Sequence, residues 1–287
     1  MEERWHKSVF ERFLFETVEN EIMDTQWRGQ ILYSLKAGGK RFRPALSFYC
    51  GESLGVNPKK LFIIGSAIEL LHTASLIHDD LPEIDDDDYR RGKLAHHKKF
   101  DHGTAVIAGD YLFFFAFDLI TRLNDLELTQ YFLKCSRDLA YGEYLDIILE
   151  DQKVIKEKDI HRMYLLKTAR LIEFSMTAPS ILTKKTDKHV QLLKTASQKI
   201  GIAFQILDDL KGIEGSFEEI GKTPGKDALN NKKTVPTLLG IEASKKLVDQ
   251  KRVECLSDLR AIKTLDGTDY EGVIEYLLAI WKKIVIA

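Results

Sequence analysis

Apolar residues along most of the chain recur every three to four positions, which is the period of amphipathic α-helices and not the alternation of strands. Only six prolines and eighteen glycines interrupt the 287 residues, so long helices can form between them. The pattern therefore predicts an all-α protein. The expected helices span residues 3–24, 26–37, 43–54, 58–81, 103–123, 126–149, 157–181, 186–211, 234–260 and 268–285, with ends placed to within about 2–4 residues.

One predicted helix is apolar nearly all round, and such helices normally lie in the interior. It covers residues 105–120 and contains four phenylalanines, at positions 113, 114, 115 and 117. We expect these rings to pack in the core, and they can also line a ligand site if the core encloses a tunnel. No change of composition divides the chain, so we expect one domain over residues 1–287, a bundle of about ten or more helices around a central cavity.

Composition and charge exclude several classes of protein. The apolar fraction is 44%, and 42 basic residues face 44 acidic ones, for a net charge of −2. This balance gives no general attraction for nucleic acid or for an anionic membrane. The N-terminus is charged, and no window supplies about 18 uninterrupted apolar residues, so no stable membrane insertion is expected. Three widely spaced cysteines, Cys50, Cys135 and Cys255, favour a reducing cytoplasm over a disulfide framework.

Two acidic clusters carry the candidate chemistry. Residues 79–88 include seven acids in ten positions, and the pair Asp208 and Asp209 ends another apolar run. Each cluster could be a solvated loop or an exposed helix end. Packed carboxylates repel one another unless divalent cations neutralise them, however, and hard oxygen ligands select Mg²⁺. We therefore predict that the clusters form the two sides of a magnesium site that receives an anionic substrate.

Helical geometry relates these acids to their neighbours. His72 and Ser75 precede Asp79 by two turns and one turn on the same helix face, and Ala74 lies beside them. Pro82 should end the helix and let Asp85 fold back towards Asp79. The second pair is predicted at a helix C-terminus, where the helix dipole opposes acids, and this favours a functional explanation.

Basic residues flank both acidic clusters. Gly38 and Gly39 precede three cations, at positions 40, 41 and 43, just before a helix whose first residue could be Pro44. A helix N-terminus of this kind can bind phosphate. Arg90 and Arg91 follow the first cluster, and Lys222 and Lys232 follow the second. Each alone is typical of a solvated surface charge, but together they suit a phosphorylated ligand.

Taken in order, these motifs resemble those of the trans-isoprenyl diphosphate synthases, the polyprenyl synthetase family, of the bacterial short-chain type. The similarity covers almost the whole chain: Gly38 to Pro44, His72 to Asp85, Asp87 to Lys93, Lys167-Thr168, Phe204 to Asp209, and Gly221 to Asp227 continuing to Lys232 and Pro236. The spacing of Asp79, Asp80 and Asp85 is that of the longer form of the family's first aspartate-rich motif.

The resemblance implies an isoprenoid synthase fold and a prenyltransferase that joins isopentenyl diphosphate to an allylic diphosphate. About three Mg²⁺ ions, for which Mn²⁺ can substitute, would bind the allylic diphosphate. Their implied ligands are Asp79, Asp80, Asp85, Asp208 and Asp209. Arg90, Lys167, Lys222 and Lys232 would contact the same diphosphate. Lys40, Arg43, His72 and Arg91 would bind isopentenyl diphosphate, Thr168 and Gln205 would face the allylic cation, and the family commonly forms homodimers.

The resemblance also implies where the product grows. The lengthening chain would run along the first acidic helix past Ser75, Ala74 and Leu71, where large side chains would block it. Farnesyl-producing bacterial members commonly carry an aromatic residue where this chain has Ala74. The small residue favours geranylgeranyl, of roughly twenty carbons, over farnesyl, unless Phe113, Phe114 or Phe117 closes the pocket. Phe114 is included in the predicted chain-length pocket.

Two departures from the family pattern support an alternative. The second motif reads Asp208-Asp209-Leu210-Lys211-Gly212, with glycine in place of its last acid, and Glu143 replaces a glutamine. The alternative is a low-activity or regulatory subunit that binds prenyl diphosphates within a heteromeric synthase. Purely structural acid clusters are a third, weaker hypothesis. Histidines 96, 97 and 102 could suggest another metal site, but they lack a companion set and are interpreted as surface or supporting groups.

Overall fold

The computed structural model describes residues 5–150, 152, 154–214 and 232–285, and most of them are helical. The α-helices are α1 Lys7–Glu21, α2 Thr25–Leu35, α3 Phe42–Ser53, α4 Pro58–Asp79, α5 His96–Lys99, α6 His102–Thr121, α7 Leu126–Glu150, α8 Glu157–Tyr164, α9 Arg170–Leu182, α10 Asp187–Glu214, α11 Val235–Leu239, α12 Ile241–Asp266 and α13 Glu271–Val285. A π-helical segment, Leu165–Ala169, joins α8 to α9. A short hairpin pairs β1 Tyr89–Arg90 with β2 Lys93–Leu94. The all-α prediction is confirmed.

Several helices begin where the sequence supplies a cap. The side chain of Asp24 accepts a hydrogen bond from the backbone N–H of Trp27 at the start of α2. Asn57 caps α4, whose first residue is Pro58, and Asp101 accepts from Thr104 at the start of α6. These oxygens bind amides that lack a partner within the helix, so the boundaries are encoded locally.

The structure corrects two predicted helices. The helix predicted over 157–181 is interrupted by the π-helical segment. The helix predicted over 234–260 divides at Gly240, whose φ is 83°, and its second part continues to Asp266. Periodicity alone does not reveal these breaks, because short interruptions leave the apolar spacing nearly unchanged.

Two apolar clusters form the core. The first surrounds α4 and draws on α1, α2, α6, α7 and α9, with Leu70, Leu71 and Ala74 fully buried. The second packs α3 against α8, α10, α12 and α13. Tyr49 and Tyr276 pack against both clusters, and their rings lie 5.0 Å apart. The two clusters are therefore continuous through these rings.

The phenylalanine-rich helix α6 is only partly interior. Leu112 and Phe115 are buried, whereas Ile107 and Phe114 are 58% and 71% exposed. The expectation that all the apolar positions of this helix lie inside is therefore wrong. One side of α6 packs on α4, and the other side presents apolar residues to solvent.

Two of the described helices, α4 and α6, are long and apolar enough to cross a membrane. Within the molecule they pack against each other, and 72% and 44% of their most apolar windows are buried. The core helices of globular proteins commonly have this composition. The three cysteines are buried and form no disulfide.

Candidate active site

A cavity of about 400 Å³ lies where the ends of several helices meet. The start of α3, the end of α4, the middle of α7, the π-helical segment and the end of α10 supply its walls. The predicted site residues among its lining are Lys40, Arg43, His72, Ser75, Asp79, Asp85, Arg90, Arg91, Lys167, Thr168, Gln205, Asp208, Asp209 and Lys232. Members of both acidic clusters and several of the predicted cations thus meet in one space.

The first acidic wall forms where α4 ends at Asp79. After Pro82 the chain folds back, and the backbone N–H of Asp85 donates to the carbonyl of Asp79 over 2.8 Å. This return brings both side chains to the cavity, as the sequence predicts. Because Pro82 cannot continue a helix, the turn is encoded locally.

Asp80 does not line the cavity, although it is a predicted metal ligand. Its side chain is buried, and its carboxylate accepts a hydrogen bond from Arg90 Nε over 2.8 Å. Burial alone would lower the pKa of Arg90, but the charge of Asp80 raises it. In this arrangement Asp80 positions Arg90, which does line the cavity.

The second acidic wall comes from α10. Asp208 lies in the last two described turns of that helix, not at its end, so the argument from an opposing helix terminus is wrong. Asp209 accepts hydrogen bonds from the Tyr164 hydroxyl and, over 2.9 Å, from Gln205 Nε2. Asp209 is therefore fixed by protein partners, while the Asp208 side chain is exposed.

Tyr164 was not anticipated from the sequence. Its hydroxyl, besides donating to Asp209, accepts from the backbone N–H of Val235 over 2.8 Å. Burial and the nearby carboxylate of Asp209 raise its pKa, so the hydroxyl stays protonated and remains a donor. Its place one turn before Lys167 is the only sequence signal that could have identified it.

The carboxylate of Asp79 is destabilised in the absence of a metal ion. Burial and the negative charges of Glu143 and Asp85 raise its pKa to about 8, although Lys167 opposes the shift. A divalent cation would reverse this shift by favouring the charged form. An oxygen-rich donor set of this kind fits Mg²⁺, which prefers carboxylates and water to nitrogen or sulfur.

The ammonium groups of two cavity-lining lysines lie close to carboxylates of the cavity. Lys167 Nζ lies 2.6 Å from the Asp146 carboxylate and 2.9 Å from that of Glu143, and Lys232 Nζ lies 2.8 Å from Asp85. Burial would lower the pKa of Lys167, but these carboxylates raise it well above its usual value. Asp146 was not predicted as a site residue. Glu143, which stands where the family commonly has glutamine, provides a negative charge beside Lys167 that glutamine would lack.

Close helix packing places Lys167 and its neighbour Thr168. A Cβ atom at Gly142 would lie 2.1 Å from the Lys167 backbone nitrogen, and one at Gly201 would lie 2.4 Å from Ala169 Cα. The π-helical segment is thus held between α7 and α10 at distances that only glycine allows. Such segments are frequent at functional sites because they redirect side chains. Here the Thr168 hydroxyl donates to Gln205 Oε1 at the cavity wall.

A separate basic region lines the other side of the cavity. Arg43 Nη1 lies 3.4 Å from His72 Nε2, while Arg43 Nε is buried without a hydrogen-bond partner. Burial lowers the pKa of Arg43 to about 10, and burial with Arg43 and Arg91 nearby lowers the pKa of His72 well below its usual value. Neutral His72 and an arginine with an unsatisfied donor are suited to bind an anion.

The basic loop before α3 differs from its prediction in two respects. The helix begins at Phe42, two residues before Pro44. Arg41 is buried and pairs with Glu69 and Glu11 at 2.7 and 2.9 Å, so only two of the three predicted cations reach the cavity.

An unanticipated aromatic pair supports Arg43. The rings of Phe42 and Phe204 stack with centroids 5.3 Å apart, and the Arg43 guanidinium lies 5.9 Å from the Phe204 centroid. Phe204 lines the cavity. The pair joins the basic loop to the helix that carries Asp208, a contact between residues far apart in the sequence.

The predicted chain-length pocket is only partly formed by the predicted residues. Ser75 lines the cavity with Leu76 and Leu139, whereas Leu71 and Ala74 are buried in the core behind this wall. The prediction for Phe114 is wrong, because its side chain points to solvent. Lys222 and the adjoining motif from Gly221 to Asp227 lie outside the described residues.

Comparison with known proteins agrees with this arrangement. The sequence profile of the polyprenyl synthetase family matches residues 25–264. The farnesyl diphosphate synthase of Micrococcus luteus is 42% identical over 255 residues, covering 86% of this chain and 87% of the relative. A chloroplastic geranylgeranyl pyrophosphate synthase of Capsicum annuum is 34% identical, with 85% of this chain and 69% of the relative covered.

Solved structures show the same fold. The crystal structure of geranyltranstransferase from Thermotoga maritima superposes with a TM-score of 0.83 at 34% identity, covering 96% of this chain and 97% of that chain. The all-α architecture is accordingly that of the isoprenoid synthases. The cavity with two acidic walls, the family profile and the similarity to synthases over most of the chain together show that this protein belongs to the polyprenyl synthetase family and is a short-chain trans-prenyltransferase.

Proposed function

We propose that the protein joins isopentenyl diphosphate to an allylic diphosphate in a magnesium-dependent head-to-tail reaction, releasing pyrophosphate. The single observation that carries this proposal is the meeting of Asp79 and Asp85 with Asp208 in one cavity that also holds a separate basic region. Carboxylates on two sides suit a metal-bound diphosphate. A basic region without carboxylates of its own suits a second diphosphate that binds directly to cations.

The allylic diphosphate would lie between the acidic walls. Asp79, Asp85 and Asp208 would hold about three Mg²⁺ ions, for which Mn²⁺ can substitute, and these ions would stabilise the negative charge of the departing pyrophosphate. Lys167 and Lys232 are charged and already close to the acids, so they can turn to the phosphate oxygens when the substrate arrives. Arg90, held by Asp80, contacts the same diphosphate, and Lys222 is proposed to do so as well.

The isopentenyl diphosphate would occupy the basic region of Lys40, Arg43, His72 and Arg91. Support comes from Arg43, whose buried Nε lacks a hydrogen-bond partner and whose positive charge is costly without an anion. Arg91 is oriented by a hydrogen bond to the carbonyl of Gly38. A diphosphate here would satisfy these donors.

The chemistry requires no side-chain nucleophile. The carbon–oxygen bond of the allylic diphosphate breaks, and its electron pair leaves with pyrophosphate. The isopentenyl double bond then attacks the allylic carbon, a carbon–carbon bond forms, and the released pyrophosphate accepts the proton that is lost. Thr168 and Gln205 line the cavity, and their oxygens would face the allylic cation, where their dipoles would stabilise its positive charge.

We propose geranylgeranyl diphosphate as the product in preference to farnesyl diphosphate. Between His72 and Asp79, the residues of α4 that line the cavity are Ser75 and Leu76, and Ala74 is buried behind them. No aromatic ring from the 113–117 stretch lines this part of the cavity. Comparing the products of the purified enzyme with authentic standards separates the two assignments.

We further propose a homodimer formed through α6 and α7. These helices pack against each other, and both expose large apolar residues. The exposed set is Val106, Ile107, Phe114, Leu133, Tyr141, Tyr144 and Ile147. An apolar surface shared by two helices is typical of a contact with a second copy.

We propose that the chain is a single domain and acts in the cytoplasm. The family profile covers most residues of both core clusters, and the clusters are joined through Tyr49 and Tyr276. Three buried cysteines without a disulfide support a reducing compartment.

An enzyme assay tests the proposed reaction directly. Purified protein is incubated with radiolabelled isopentenyl diphosphate and dimethylallyl, geranyl or farnesyl diphosphate, with Mg²⁺, Mn²⁺ or EDTA. We expect metal-dependent formation of longer prenyl diphosphates, with loss of at least about 100-fold in rate for Asp208→Asn. The Glu83→Gln variant, an exposed acid of the same loop as Asp85, serves as control. Metal-dependent binding of both substrates without any new product would instead support the regulatory subunit.

A further inference from the structure

We propose a second metal site outside the cavity, formed by Asp86, Asp88 and His97 and suited to a borderline divalent ion such as Zn²⁺. One carboxylate oxygen from each aspartate and one ring nitrogen of the histidine all lie within 4.8 Å of one another. Three such atoms, at this separation, can reach a common ion after small side-chain adjustments.

The surroundings of His97 indicate that a ligand binds at this site. His97 is only 4% exposed, and both of its ring nitrogens are buried without a hydrogen-bond partner. Buried polar atoms are normally satisfied, because an unpaired one loses its hydration without replacement. A metal ion bound between His97 and the two aspartates would satisfy one of these nitrogens.

The site is distinct from the one that binds the diphosphates. Alternate residues of the acidic segment face opposite ways: Asp85 and Asp87 line the cavity, whereas Asp86 and Asp88 are exposed outside it. His97 is likewise absent from the cavity lining. A metal ion bound by Asp86, Asp88 and His97 would therefore share no ligand with metal ions bound by Asp79.

The donor set favours a different metal from the one expected in the cavity. Two carboxylates with one imidazole suit Zn²⁺ and its first-row neighbours, whereas Mg²⁺ prefers oxygen ligands alone. Lys98 Nζ lies 2.8 Å from Asp88, so a cation is already attracted to this position. The lysine side chain is 40% exposed and can move into solvent when an ion replaces it.

The expected role of the ion is to restrain the active-site loop. Asp86 and Asp88 belong to the segment that carries Asp85 and leads into Arg90, and His97 belongs to the neighbouring helix α5. A metal bound by all three would tie the loop to the helix. It would thereby reduce the freedom of the side chains that face the diphosphate.

Zinc titration of the full-length protein tests the proposal. Protein freed of metal with EDTA and then desalted is titrated with Zn²⁺ by calorimetry, without any diphosphate. We expect one equivalent to bind in the micromolar range, and Asp86→Asn or Asp88→Asn to weaken it by at least about tenfold. Glu83→Gln, an exposed acid three residues away, should leave it unchanged. Asp208→Asn should also retain it, which separates this ion from any bound in the cavity.

A second measurement reports on the histidine. Heteronuclear NMR of the imidazole nitrogens should show a shift of the His97 signals on addition of Zn²⁺, and this shift should be lost in Asp88→Asn. Because the two aspartates are exposed, their variants should fold even if His97→Asn does not. The proposal is overturned if the native protein binds no Zn²⁺ in this range, or if Asp86→Asn and Asp88→Asn both bind it as tightly as native.

Discussion

Asp79 combines a proposed role in metal binding with a charge that is unfavourable for stability. Its pKa of about 8 lies above the value of 3.8 for an unperturbed aspartate, because burial and neighbouring acids penalise the charged form. A raised folded-state pKa stabilises the protein at low pH, and this contribution is lost as the pH rises through 8. The negative charge that we propose for metal binding therefore lowers the stability of the metal-free protein.

Replacing Asp79 with asparagine should separate these effects. At pH 9 in EDTA we expect Asp79→Asn to unfold at a higher temperature than the native protein, because asparagine carries no charge. The same variant should lose at least about 100-fold in turnover with Mg²⁺. Thermal unfolding monitored by circular dichroism, beside the steady-state assay, measures both. Equal unfolding temperatures at pH 9 would show that the carboxylate is not destabilised.

Ser75 allows a test of the cavity wall at the level of one side chain. Since Ser75 lines the cavity and Ala74 lies behind it, Ser75→Phe should shorten the main product with little effect on folding. Ala74→Tyr should also shorten it, but at a greater cost in stability, because it overfills a buried position by about 1–3 kcal/mol or more. Chromatography of the dephosphorylated products is the measurement. An unchanged product from Ser75→Phe would place the growing chain elsewhere.

At the level of elements, the π-helical segment is the least regular part of the site. It brings Lys167 and Thr168 to the cavity, and its position depends on glycines in the two helices that hold it. Helix formers are plentiful in this stretch, so the irregularity is imposed by packing. A regular α-helix would rotate the following residues relative to the cavity.

A methyl group at either glycine should disturb this segment. We expect Gly142→Ala and Gly201→Ala each to lower stability by about 1–3 kcal/mol, and Gly142→Ala to reduce turnover because it pushes directly on Lys167. Gly29→Ala in α2 is the matched control, since nothing lies within 4 Å of its added Cβ. That variant should be slightly more stable than native. Urea unfolding and the steady-state assay distinguish these outcomes, and native-like behaviour of Gly142→Ala would mean that the backbones can separate without cost.

At the level of the whole molecule, the exposed side of α6 and α7 bears on assembly. Phe114, at 71% exposure, is the most exposed of the seven large apolar residues that define this surface. We expect Phe114→Glu to convert the dimer to a monomer without loss of thermal stability in the monomer, as measured by light scattering after size-exclusion chromatography. Val253→Glu introduces the same charge at a residue of α12 that is 62% exposed, and should leave the dimer intact. A native protein that is monomeric at high concentration would refute the proposed interface.

The whole molecule should also lose stability in mild acid. Burial lowers the pKa of His72, His97 and His189, and lowers that of His96 to about 4. Below pH 6.5 the unfolded chain binds protons that the folded state does not, so the free energy of unfolding falls as the pH drops. Each such histidine contributes at most about 1.4 kcal/mol per pH unit. Asp79 and Glu150, whose pKa values are raised mainly by burial, oppose this trend, but they are two groups against four histidines.

Urea unfolding between pH 7 and 5 measures this dependence. We expect His96→Asn to reduce the slope of stability against pH, whereas replacing the exposed His6 should not. A slope unchanged in His96→Asn would show that this ring is protonated in the folded protein.

The sequence alone determined the helical class and most residues of the candidate site, because these depend on short-range signals. Apolar spacing, caps and Pro82 act within a few residues, and the motifs around Asp79 and Asp208 carry the donors that a metal-bound diphosphate requires. Only the tertiary structure decided which of these side chains face the cavity. The side chain of Asp80 binds Arg90, and that of Arg41 pairs with Glu69. The side chain of Phe114 is exposed to solvent.

The same limit explains the residues that sequence reasoning missed. Tyr164 and Asp146 act through partners at least twenty residues away along the chain, and the π-helical segment packs closely against two distant glycines. Which face of a helix meets which neighbour depends on how all the helices pack, and periodicity does not specify that packing. The chemistry of this protein is therefore encoded locally, while the orientation of its functional groups is a property of the folded molecule.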